Sequence, residues 1–155
     1  MSAVPVTQRA ASRRRRLEPL RIAVAALALA GLAIAAYLTV VHYMGDAPVC
    51  AIAHGCAVVQ QSGYAELAGV PVAVLGLAGY AAILASLARD GEAWRTATAC
   101  LALAGFGFSA WLTYVEVFRL EAICIWCVAS AICMTALAIL AVVRVFSAPP
   151  PALRP

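Results

Sequence analysis

From Ile22 to Val41 the chain runs for 20 residues without a charged side chain. As a helix rising 1.5 Å per residue, such a run crosses the roughly 30 Å of hydrocarbon in a bilayer. It exceeds the roughly 7–15 apolar residues of a signal-peptide core, so it reads as a retained first span, about 22–43. Three further apolar runs follow, at about 69–88, 96–116 and 122–143. With 65% apolar residues, 12% charged residues and a mean hydropathy of +0.95, the chain falls outside the range of soluble domains. The expected fold class is an all-α membrane protein, a bundle of four transmembrane helices joined by mostly short links.

Residues 20–146 hold that domain. Residues 1–19, with Arg9 and Arg13 to Arg16 among Ser, Thr, Gln and Pro, show no apolar periodicity and are expected to be a disordered basic tail. Residues 147–155 are a Pro-rich tail. The formal charge of +4 does not point to nucleic acid, because the 11 Arg residues gather at the N-terminus and beside the apolar runs. Arg9, Arg13 to Arg16, Arg21, Arg89, Arg95, Arg144 and Arg154 fall on one side of the four spans, and only Arg119 falls on the other. Cytoplasmic loops carry the excess of Arg and Lys, so both termini are expected in the cytoplasm. The 25-residue loop from Met44 to Ala68 and the start of the fourth span then share the outer, oxidising face.

Both of the chain's close cysteine pairs lie on that face. Cys124-Ile-Trp-Cys127 opens the fourth apolar run, where free backbone N–H groups and the helix dipole stabilise a thiolate. Cys50 and Cys56 lie in the long loop, and a mobile thiol facing a fixed disulfide is what thiol–disulfide exchange requires. The two pairs read as an electron relay. A static staple at Cys50–Cys56 or a metal site is the competing reading, and His54 could complete a Cys/His cluster there. Cys100 and Cys133 lie within spans and read as packing residues. Glu116, at the outer end of span three, either relays protons or snorkels to the interface. Ser62 could hydrogen-bond a quinone carbonyl or could simply cap a turn. The stretch 56–67 is expected to include a short helix on the membrane, with Val58, Val59 and Tyr64 facing it.

The order Cys50-x5-Cys56, Ser62, Gly69-Val70-Pro71-Val72-Ala73-Val74-Leu75-Gly76 and Cys124-Ile-Trp-Cys127 resembles the vitamin K epoxide reductase family over about 22–143, most closely its bacterial branch. The DsbB family does similar work on four helices but carries both cysteine pairs in outer loops. The resemblance implies a bundle around a quinone, menaquinone or ubiquinone, with the loop and its short helix capping the pocket and no metal. It implies a separate DsbA-like thioredoxin-fold partner, since only the Pro-rich tail follows span four, and a place in the bacterial inner membrane. It also assigns roles. Cys50 and Cys56 would be the shuttle, Cys56 meeting the partner and Cys50 attacking Cys124; Cys127 would be the thiolate nearest the quinone, and Ser62 a hydrogen-bond donor to it. The vertebrate enzymes place an Asn in the pocket and a Tyr soon after the CxxC. This chain has no Asn and has Ala131 in that region, so disulfide formation in exported proteins is expected rather than epoxide reduction. The alternatives are a quinone or quinone-epoxide reductase in its own right, and a non-enzymatic tetraspan protein.

Overall fold

The computed structural model describes residues 6–50, 55–89 and 91–147. Helix α1, Val6–Met44, holds 39 residues with Pro19 inside it. Helix therefore replaces the disorder expected over residues 6–19. Ala, Arg, Gln, Leu and Glu fill that stretch and favour helix strongly, and the apolar run behind Pro19 supplies the nucleus from which it extends. Residues 1–5 and 148–155 lie outside the described residues.

Helix α2 is a single short piece, Cys56–Gln60, where a short loop helix was expected. A two-residue strand β1, Glu66–Leu67, pairs antiparallel with β2, Val70–Pro71, putting Leu67 opposite Val70. The turn between them is Ala68-Gly69, with φ of 53° and 79°; two successive positive φ values are the geometry that twists a two-residue hairpin correctly. Helix α3, Val72–Leu87, starts only after this hairpin and uses Pro71 as its N-cap. Gly69, Val70 and Pro71 thus belong to the hairpin and not, as expected, to the span. The 16 residues of α3 measure about 24 Å, short of a bilayer core.

Helix α4, Glu92–Phe118, and helix α5, Ile125–Phe146, complete the chain. Among the described residues three helices, Glu18–Met44 within α1, α4 and α5, are long and apolar enough to cross a membrane, and α3 is a fourth, shorter apolar helix. Helix α1 packs on α3 and α5, and α4 packs on α5 and α3, so the four long helices close a ring.

Small residues bring these helices together. Ala28 and Ala35 of α1, Ala102 of α4 and Ala138 of α5 are buried with Tyr80, Ile83 and Leu137. A Cβ on Gly31 would run into the Tyr80 ring, and one on Gly105 would meet Met134 Sδ at 2.7 Å. Close approach at small residues, with van der Waals contact and hydrogen bonds between helices, is how helices associate in lipid. Ser86 and Thr98 hydrogen-bond at 2.7 Å inside the bundle, and the Arg21 guanidinium donates to the Leu87 carbonyl at 2.9 Å. Large apolar side chains such as Ile22, Leu29, Ile132 and Ile139 face outward. An exposed apolar surface of that extent matches a lipid environment.

Candidate redox site

The site forms where the connection after α4 folds back. Past Arg119 the chain turns through Glu121, with φ of 48°, and the Ala122 N–H bonds the Glu116 carbonyl at 3.1 Å. This reversal brings Cys124 over the end of α4 as the N-cap of α5. Its N–H donates to Glu116 Oε2 at 3.0 Å, and its Sγ accepts the Cys127 N–H at 3.4 Å. The sulfur thus fills the role that a Ser or Asp oxygen usually has at a helix start. Cys124 is fully buried. The Cys127 thiol beside it holds Cys124 below the usual thiol range by hydrogen bonding, helped by the N–H groups of Cys127 and Trp126, while burial and the Glu116 carboxylate act in the opposite direction.

Among its described residues the 44–56 loop reaches this helix end by two fastenings. Val49 donates its N–H to the Tyr37 hydroxyl at 3.0 Å and accepts from Trp126 Nε1 at 2.9 Å, with the Tyr37 and Trp126 rings 4.8 Å apart. Gly55 lies against the backbone of Ala122 and Ile123, so closely that a Cβ there would sit 2.6 Å from the Ile123 nitrogen. Cys50 directly follows the first fastening and Cys56 the second, and the two form a disulfide with Cα atoms 6.3 Å apart, while Cys124 and Cys127 are thiols. Cys56 is 1% exposed and Cys50 is half-buried. That burial does not suit the expectation that Cys56 meets the partner, because in this arrangement the open member of the pair is Cys50. His54 lies outside the described residues. Among those described, no three of His, Cys, Asp and Glu gather as metal ligands would.

Beside Cys127 lies a cavity of about 170 Å³ lined by residues from α1, α3, α4 and α5 and from the α2–hairpin segment. Leu38, Leu75, Phe108, Leu112 and Met134 make its wall apolar, and Cys127 and Glu116 share that wall. Ser62 also lines it, but its hydroxyl donates to the Val59 carbonyl at 2.7 Å. Its only proton is used within its own turn, so the donor role expected of Ser62 is not available in this geometry. Val59 and Tyr64 line the cavity, whereas Val58 is exposed. Glu116 is 5% exposed, which excludes snorkelling. Tyr37, Gly55 and Trp126 were not distinguished by sequence; the one available signal was Trp126, placed between the two cysteines.

The sequence profile of the vitamin K epoxide reductase family matches residues 22–142. The chain belongs to that family. No curated protein matches it. Membership in the family, with the apolar helices, makes the chain a multi-pass membrane oxidoreductase whose chemistry concerns disulfides and whose relatives act with quinones. The cavity wall is mostly apolar, and the Cys127 thiol stands on it.

Proposed function

We propose that the protein is a quinone-dependent thiol–disulfide oxidoreductase that re-oxidises an extracytoplasmic, DsbA-like thioredoxin-fold protein. The observation that carries this reading is the seating of Gly55 on the Ile123 backbone, because it holds the loop disulfide at the helix end that bears Cys124, with Cys127 on the cavity wall behind. A partner thiolate attacks Cys50, the more open sulfur, and releases Cys56. The Cys56 thiolate attacks Cys124 in its disulfide with Cys127 and frees Cys127. Cys56 then returns to Cys50 as the partner leaves oxidised, and two electrons pass from the CxxC pair to menaquinone or ubiquinone. In total, one dithiol and one quinone become one disulfide and one quinol.

The quinone supplies the two-electron oxidising power. The protein's own residues exclude water and hold the thiols. In this reading α3 is the fourth span, α2 and the hairpin cap the pocket, and both termini lie in the cytoplasm of a bacterium, as the Arg distribution supports.

The test uses the full chain in lipid nanodiscs with two forms of a DsbA-like protein: the reduced dithiol form as donor for quinone reduction, and a form without its resolving cysteine, whose remaining thiol is activated as a mixed disulfide with thionitrobenzoate, for capture. The expected result is capture on Cys50 in the Cys56→Ala variant, with release of thionitrobenzoate, and loss of quinone reduction from the dithiol donor in Cys127→Ser. Capture on Cys56 in Cys50→Ala, with none on Cys50 in Cys56→Ala, reverses the order of the shuttle. Undiminished quinone reduction in Cys127→Ser overturns the relay.

A further inference from the structure

We propose that Glu116 is the acid–base residue of this reaction, taking the proton of the Cys127 thiol and delivering it to the quinone in the cavity. This deepens the function proposed above and rests on it. The geometry is specific. One carboxylate oxygen accepts the Cys124 N–H at 3.0 Å, the side chain interacts with the Cys127 thiol, and Glu116 lines the cavity. Among the described lining residues it is the only carboxylate, and no Arg or His joins it. The other titratable groups on that wall are Cys127 from α5, Tyr80 from α3 and Tyr64 from the segment after α2; α1 contributes apolar residues. Tyr80 is engaged with Ser130, its hydroxyl lying 2.9 Å from both the carbonyl and the Oγ.

A carboxylate here is not needed for structure alone. The Cys124 N–H requires one acceptor, and an uncharged amide would provide it without the desolvation that a buried carboxylate carries. What the carboxylate adds is the ability to hold a proton beside a thiol. Reducing a quinone to a quinol takes two electrons and two protons, and joining two thiols as a disulfide releases the same number. In the first transfer Cys127 gives its proton to Glu116, which passes it into the cavity and returns to the carboxylate. In the second, the proton of Cys124 follows the same route as the Cys124–Cys127 bond closes. Glu116 ends the cycle unchanged, both electrons leave through sulfur, and no other co-reactant is required.

The experiment compares wild type, Glu116→Gln and Glu116→Asp in nanodiscs, with a reduced thioredoxin-fold protein as donor and ubiquinone-1 as acceptor. Two steps are read separately: disulfide exchange from the loop pair to the CxxC pair by rapid alkylation, and quinone reduction by absorbance across pH. Glutamine keeps the acceptor for Cys124 N–H but has no acidic proton to transfer, so exchange is not slowed, the charge that opposes the Cys124 thiolate being gone, while kcat for quinone falls roughly 100-fold or more, the usual span for a lost proton-transfer group. KM for ubiquinone-1 changes little, and Glu116→Asp regains part of the loss. If Glu116→Gln reduces quinone at nearly the wild-type rate at every pH, or loses the exchange step equally, the carboxyl only shapes the loop and the proposal fails. If wild type itself reduces no quinone, the function proposed above has failed and this proposal with it.

Discussion

The Trp126 indole N–H donates to the Val49 carbonyl at 2.9 Å. Trp126 lies inside the CxxC and Val49 immediately precedes Cys50, so one hydrogen bond ties the two redox pairs across 77 residues of sequence. Its geometry gives the tryptophan a mechanical role in exchange, holding the loop over the helix end.

Trp126→Phe keeps the ring against Tyr37 but removes the donor. A single hydrogen bond of this kind contributes about 1 kcal/mol, so the docked population of the loop falls by roughly 5-fold. Exchange between the loop pair and the CxxC pair slows in proportion, and amide hydrogen exchange around Val49 rises. Unchanged protection at Val49 in the variant rules out the tie.

Gly55→Ala acts on the other fastening. The added Cβ would meet the Ile123 backbone nitrogen at 2.6 Å and oxygen at 2.7 Å, and backbone cannot rotate aside as a side chain can. The loop lifts by a few tenths of an ångström or more, and misplacement of reacting groups by about 1 Å can lower a rate roughly 100-fold. Exchange to Cys124 falls by at least 10-fold on that estimate, while the Cys50–Cys56 disulfide still forms, as a non-reducing mass measurement shows. Full exchange activity in Gly55→Ala means that the contact is not part of the working geometry.

Much of this was legible in sequence. Uncharged runs fix membrane helices because length and hydropathy alone decide them, and the cysteine spacings located the two redox pairs. The N-terminal stretch was misread because Arg lowers apolar periodicity without lowering helix propensity. The start of α3 was misread because a hairpin turn on Ala68 requires a left-handed conformation that alanine rarely adopts. At the site, the contacts of Val49 with Tyr37 and Trp126 join distant segments, and no local pattern encodes them. Glu116 was ambiguous for a related reason: its direction depends on the chain reversing through Glu121, which brings Cys124 back over it.

Cys100 and Cys133 serve as an internal control. Cys100 is exposed on α4, Cys133 is half-buried on α5, and neither lines the cavity. The double variant Cys100→Ala/Cys133→Ala retains quinone reduction within about 2-fold, since replacing small exposed or half-buried side chains changes stability by under ~1 kcal/mol. A larger fall in rate, with the protein still folded, places a third thiol in the relay.

The pair Cys124 and Cys127 also sets a pH dependence. The Cys127 thiol is the largest of the influences that hold Cys124 below its ordinary value. A depressed thiol keeps its reactive thiolate to lower pH than a free cysteine does. Cys127→Ala removes the donor but leaves burial and the Glu116 carboxylate, both of which disfavour the Cys124 thiolate. The Cys124 value must therefore rise, and the thiolate fraction at neutral pH must fall. The check is the pH profile of maleimide labelling at Cys124 in the reduced protein, with the loop pair changed to alanine in both samples. The midpoint moves to higher pH in Cys127→Ala, and labelling at pH 7 slows by about 10-fold for each unit of that movement. A midpoint that stays in place, or moves lower, shows that the helix N-terminus rather than the neighbouring thiol governs Cys124.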